Sequence, residues 1–186
     1  LQASDWTFQV DYSHRENNKG YMYDARVRPS TRLNYMKKTD AKEEIPGKSR
    51  QAVENIYEYC RKNNAKLVLI STPSTAYWNY KRHNSVAELA ESLGVEYVDM
   101  NLINDQVGIE WSTDTRDRGM HMNIYGARKC SAFLGAYLAK TEQFQDKRKD
   151  ASYADWFDAL EAFNESTDNA LDRPSPEPED HTKKAN

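Results

Sequence analysis

Nothing in this sequence stays apolar for long. No run approaches the roughly 20 apolar residues needed to span a bilayer, so the chain itself is not expected to insert into a membrane. The first residues, "LQASDWTFQV", carry no initiator Met and none of the features of a signal peptide. The chain therefore reads as cut from something longer, or as processed. Positive charge is not in excess either. Lys and Arg number 26 against 29 Asp and Glu, a formal net charge of −3. That balance argues against a nucleic-acid or anionic-membrane partner held by charge alone. Basic residues do cluster locally, as in "RVRPSTRLNYMKK", but acids follow at once and the stretch reads as solvated surface.

Cysteine is scarce. Cys60 and Cys130 each fall inside a predicted helix, with no metal spacing around them. They read as small buried apolar residues, and a disulfide between them stays open. His14 and His181 carry no spacing signal, and no His/Asp/Glu set has metal-site spacing. No metal or cofactor is expected. No internal repeat occurs.

What is present is an alternation of helical and strand patterns. Residues 1–46 form a loop-rich segment ended by Pro46 and Gly47. From Lys48 to Asn64, Val53, Ile56, Tyr57 and Cys60 recur at helical spacing. "KLVLIST" (Lys66 to Thr72) has the signature of a strand buried on both faces. A helix over Asn84–Leu93 follows, with Gly94 as its C-cap, and then a strand, "VEYVDM". A longer loop leads to a helix from about Asn123 to Glu142, and a last helix covers about Tyr153 to Asn164. The tail 168–186 is Pro-rich and charged and is expected to be disordered. Short connections between helix and strand point to an α/β fold with a parallel sheet.

Ligands in open α/β sheets bind beyond the C-terminal ends of the strands. Three loops meet there. The first carries Thr72, Ser74, Trp78 and Asn79, the second Asn101 and Asp105, the third Asp114, Asp117, His121 and Asn123. His121 is the most informative residue. A neutral His is a good general base near pH 7 if a partner fixes its tautomer. Asp117 or Asp114 could accept from its Nδ1, and Asn123 could cap the helix. On spacing alone, a hydrogen-bonded structural His is the competing reading. Ser74, beside Pro73, reads as a turn serine. Tyr77 and Trp78 either line a substrate cleft or pack over the sheet edge. His83, at a helix start, reads as surface.

"DTRDRGMHMNIYGARKCSAFLGAYL" (Asp114 to Leu138) resembles the last block of the SGNH (GDSL-type) hydrolase superfamily. In DltD-like and related bacterial branches that block runs Asp-x-x-His-Leu-Asn-x-x-Gly-Ala-x-Lys. "KLVLISTPSTAYWNYKRHNSVAELAESLGVEYVDMN" resembles the stretch before it, so the resemblance covers about Gly47 to Lys140. It implies a flavodoxin-like three-layer α/β/α sandwich over residues 47–167, with no cofactor. It also implies ester or acyl-transfer chemistry on a small-molecule or glycan substrate, of the cell envelope in many relatives, and an extracytoplasmic setting. His121 would be the base and a preceding Asp its orienter. A serine would attack the acyl carbonyl, and Ser74, Trp78, Asn79 and Asn123 would line the site. The sequence departs from the family in two ways. The family Asp stands three residues before the His, where this chain has Arg118, with Asp117 one residue further back. No Gly-Asp-Ser nucleophile block and no Gly-x-Asn-Asp motif occurs; "ASDW" has a Ser-Asp but no strand leading into it. Either the sheet is incomplete here and the serine lies upstream of Leu1, or the chain is a degenerate member that binds glycan or protein without reacting.

Overall fold

The computed structural model describes residues 21–141 and 144–171. Of the tail expected to be disordered over 168–186, residues 168–171 are helical and the rest, with Ser4, His14 and His181, lie outside the described residues. The chain divides into two compact units. The larger one spans Tyr23–Phe144 in its described part, and the smaller one joins Tyr21 and Met22 to the stretch from Gln145.

In the larger unit the order is α1 (Gly47–Lys62), β1 (Val68–Ser71), α2 (Tyr80–Leu93), β2 (Glu96–Asp99), α3 (Asn104–Val107) and α4 (Ile124–Thr141). β1 and β2 pair in parallel, in register from Val68 with Glu96 to Ser71 with Asp99. Parallel neighbours need a crossover, and α2 supplies it. The chain is thus an α/β protein with a two-stranded parallel sheet among its described residues.

α2 begins at Tyr80, earlier than the apolar stripe suggests, because Asn79 caps it: its side chain accepts from the Arg82 N–H at 3.0 Å. Gly94 ends the helix in the left-handed conformation, φ 64°, as a C-cap Gly should. α3 is a four-residue turn inside a stretch expected to be loop, too short for a periodic signal. The core sits under α4. Met100, Val107, Ile109 and Cys130 are buried together, with Ile103, Trp111, Met122, Phe133 and Leu134 packed against them. Each large apolar side chain so buried contributes roughly 1.5–3 kcal/mol. Leu89 and Ala90 of α2 and Val98 of β2 are also buried. Both cysteines are free thiols.

One edge of this arrangement is open. α1 has no buried residue, and Ile56 and Tyr59 stand exposed. In β1, expected to be covered on both faces, Val68 and Leu69 are half-buried and Ile70 is exposed. No second strand covers the free edge of β1 among the described residues.

Residues 23–46 contain no regular element, yet they are tied down. Ile124 N–H donates to the Asp24 carbonyl, Arg28 N–H to Thr115, and Ser30 N–H to Trp111, all at 2.8–2.9 Å. Further along, Glu43 N–H donates to Ser85 Oγ at 3.0 Å and Asn84 Nδ2 to the Thr39 carbonyl at 2.7 Å. An irregular segment placed against a domain must find partners for its backbone polar groups, and these bonds supply them.

In the smaller unit a 3-10 turn, Ala151–Tyr153, leads into α5 (Ala154–Leu171). Asp150 caps the turn, accepting from the Ser152 N–H at 3.1 Å. Tyr21 meets Phe163 edge-on, ring centroids 5.7 Å apart.

Candidate functional site

The loops that follow β1 and β2 meet the loop before α4. Ser74 N–H donates to Asn101 Oδ1 at 2.9 Å, and Ser74 Oγ donates to the Gly119 and Met120 carbonyls at 3.0 and 3.1 Å. The loop before α4 doubles back on itself. Thr115 and Met122 form an antiparallel bridge, and Asn123 N–H closes on the Asp114 carbonyl at 3.0 Å. Its tip turns through two left-handed residues, Arg118 (φ 63°) and Gly119 (φ 93°). Gly119 is required twice over, since a Cβ there would meet Thr75 Oγ1 at 1.9 Å and Ser30 Oγ at 2.7 Å.

This turn brings Asp117 back over His121. Asp117 Oδ1 accepts from the His121 backbone N–H at 2.7 Å, and Oδ2 lies 2.5 Å from His121 Nδ1. The separation of four residues spans the pair because the left-handed turn absorbs the extra residue. Burial raises the Asp117 carboxyl, but the hydrogen bonds from the His121 ring and backbone outweigh it and hold the group below the ordinary carboxylate range. With Nδ1 committed to the carboxylate, Nε2 is the nitrogen left to exchange a proton. The ring is half-exposed, its side chain 53 % accessible. Tyr77, also exposed, stands edge-on to it with centroids 6.1 Å apart.

The other residues singled out from the sequence sit as follows. Asp114 is brought to Lys129 and not to His121. Its buried carboxylate lies 2.7 Å from Lys129 Nζ and accepts from Glu110 N–H and Thr113 Oγ1. Burial alone would lower the Lys129 ammonium; the Asp114 and Glu110 carboxylates hold it raised. Asn123 is buried and spends both ends of its amide. Oδ1 accepts from Tyr125 and Gly126 N–H, capping α4, while Nδ2 donates to the Thr113 and Arg26 carbonyls at 2.7 and 3.1 Å. Asn79 caps α2 and donates to Glu43. Ser74 is buried, and its hydroxyl is taken up by the two carbonyls and by Tyr77 N–H. Asp105 lies in the first turn of α3. No family model, curated protein or solved structure matches this chain.

A second polar centre was not foreseen. Asp99, at the end of β2, is buried with its side chain 2 % accessible. Its Oδ2 takes Trp78 Nε1 at 2.9 Å, His83 Nδ1 at 2.9 Å and Tyr97 OH at 3.1 Å. Its Oδ1 takes the Asn101 backbone and side-chain N–H groups. His83, read as surface, is largely covered and stacks on Tyr97. The earlier start of α2 explains this, because it puts His83 in the helix's first turn, facing the sheet. Trp78 is likewise committed to Asp99. The signal was a strand ending in an acid. A carboxylate there needs donors, and Trp78 and His83 were the nearest side chains able to give them.

Among the described residues, no side chain other than Asp117 hydrogen-bonds the His121 ring, no group of three or more His, Cys, Asp or Glu is placed to hold a metal ion, and no helix is long and apolar enough to cross a membrane. The chemistry available at the loop tip is that of an oriented imidazole open to solvent.

Proposed function

We propose that the chain belongs to an SGNH-type hydrolase or O-acyltransferase domain acting on ester or acyl groups, of a carbohydrate or cell-envelope substrate by resemblance. The observation that carries this is the His121–Asp117 pair. A carboxylate fixes Nδ1 of a half-exposed ring, in a loop that meets the C-terminal ends of a parallel sheet. In this reading Nε2 takes the proton of a serine hydroxyl as its oxygen attacks the acyl carbonyl. The imidazolium, stabilised by Asp117, returns that proton to the leaving alkoxide. Water or an acceptor hydroxyl then enters by the same steps in reverse.

The reading includes a three-layer sandwich with further strands beside β1. The exposed Ile70 and Ile56, and an α1 stripe that is otherwise only half-buried, support that, since parallel strands are ordinarily covered on both faces. The attacking serine is then expected from those further strands. A specific observation favours a second reading, a non-catalytic module that binds glycan or protein. No hydroxyl among the described residues meets the His121 ring.

Labelling with a fluorophosphonate probe, followed by mass spectrometry, tests the two. Modification of one serine, lost in His121→Ala with the circular dichroism spectrum unchanged, supports the hydrolase. Labelling undiminished in His121→Ala overturns it. No labelling, in this chain and in one extended upstream, leaves the binding module.

A further inference from the structure

The two described histidines both meet tyrosine rings, and they differ in what is open. His83 lies against Tyr80 and Tyr97 and is largely covered. His121 and Tyr77 are both exposed and stand edge-on, centroids 6.1 Å apart. Ser74 fixes the relation between their loops. Its Oγ donates to the Gly119 and Met120 carbonyls at 3.0 and 3.1 Å and accepts from the Tyr77 N–H at 3.2 Å. Ala76 N–H adds a bond to the Gly119 carbonyl at 3.2 Å. On its other side the Tyr77 carbonyl accepts from the Arg82 guanidinium, whose Nε lies 2.8 Å from Glu43 Oε1. The Tyr77 backbone is thus pinned to the loop before α4 and to α2, while its side chain stays open: the residue is 53 % exposed, and its hydroxyl bonds to no described residue.

A lone exposed tyrosine is ordinary. This one shares a frame with an oriented imidazole, beyond the C-terminal ends of parallel strands, where ligands of such sheets bind. A tyrosine offers an apolar face and a polar tip. Beside it stand the imidazole and the partly accessible Asp117 carboxylate. A pyranose matches that surface, because its C–H face lies on an aromatic ring while its hydroxyls reach polar neighbours. A plain alkyl or aryl ester would use the ring and desolvate those neighbours without bonding them. From this juxtaposition we propose that Tyr77 is the floor of a sugar-binding subsite beside His121, on which the pyranose that bears the acyl group stacks. The inference rests on the His121 reading for the reaction and commits its substrate to the carbohydrate class. Stacking itself requires only Tyr77.

The test is titration of the full chain with chitotriose, cellotriose and mannotriose, each separately, followed by NMR of the amides and the aromatic rings. Saturable shifts at Tyr77 and His121 with at least one of the three are expected. Y77A should weaken that binding about tenfold, and Y77F and Y77W should keep it. Y59A removes a still more exposed tyrosine, on α1, and should leave it unchanged. No saturable shift at Tyr77 with any of the three overturns the proposal, as does unchanged affinity in Y77A or equal weakening in Y77A and Y59A. Y77F as weak as Y77A would mean a hydrogen bond from the hydroxyl and would overturn the stacking. His121→Ala separates the two claims. Sugar binding that persists in that variant, in a protein whose fluorophosphonate labelling does not depend on His121, removes the hydrolase and leaves the sugar subsite. Labelling that depends on His121, without sugar binding at Tyr77, leaves the hydrolase and removes the subsite.

Discussion

Asn123 offers the sharpest check on how the candidate site is held. Its amide does two jobs with two atoms. Oδ1 caps α4, and Nδ2 binds the Thr113 and Arg26 carbonyls, so that the helix, its preceding loop and the segment from Tyr23 are joined through one side chain. The residue is 1 % exposed, so its own amide has no access to water in place of these partners. Asn123→Ala loses the cap, which costs about 1 kcal/mol, and strips two part-buried carbonyls, at about 1–2 kcal/mol each, the lower part of the range for a buried group. The expected total is about 3–5 kcal/mol.

Asn123→Asp divides these jobs. Asp caps as well as Asn and interacts favourably with the helix dipole by about 0.3–1 kcal/mol. If capping were the whole role, this variant would be neutral or slightly stabilised. Its second oxygen, however, faces two carbonyl oxygens and loses both bonds, so we expect a loss of about 2–4 kcal/mol. Urea denaturation of both variants at neutral pH gives the comparison, with amide exchange at Tyr125 and Gly126 reporting the cap directly. Asn123→Asp within about 0.5 kcal/mol of the parent chain, the range of an uninvolved surface change, would refute the bridging role.

Two further outcomes follow from the buried groups. Asp99→Asn places an amide N–H₂ among the indole, imidazole, phenol and amide donors that now converge on the carboxylate, and should cost about 2–4 kcal/mol in urea denaturation; an unchanged midpoint would mean that these donors find other acceptors. Burial pushes the Cys130 thiol up to about 11, so iodoacetamide at pH 8 should modify the half-buried Cys60 well ahead of Cys130 in the native chain, and equal rates would contradict the packing under α4.

The elements legible in the sequence were those with a period. α1, α2 and α4 show apolar stripes, and β1 and β2 are short apolar runs between turn residues, so their existence and order could be read directly. Asn123 as a cap was legible for the same reason, since Asn stands just before the stripe of α4. What pairs with what was less legible. Asp114 and Asp117 are both acids a few residues before His121, and spacing alone left both as its partner. The structure divides them by a left-handed turn at Arg118 and Gly119, and by Lys129, which lies 15 residues beyond Asp114 on the next helix. A non-Gly residue with positive φ has no sequence signature, and a partner that distant is visible only once the helix is docked. His83 was misplaced because the stripe of α2 starts after the helix does. The cap at Asn79, not the apolar period, sets where its first turn faces.

These placements also bear on which residue to trust as functional. Of the polar side chains around the loop tip, Asn123, Asp114, Ser74 and Thr115 are buried and bonded within the fold. Their arrangement explains why the loop holds one shape, and it leaves none of them free to meet a ligand. His121, Tyr77 and Arg118 are what remains exposed. A loop built only to connect β2 with α4 has no need of a carboxylate fixed on both the backbone and the ring of a half-exposed histidine. An exposed ion pair of that kind adds little stability. His121→Ala should therefore leave the urea midpoint nearly unchanged while Asn123→Ala lowers it. A histidine that orders its loop without stabilising it is what a site requires; a large loss of stability in His121→Ala would instead make the pair a structural fastening and take away the main support for the hydrolase reading.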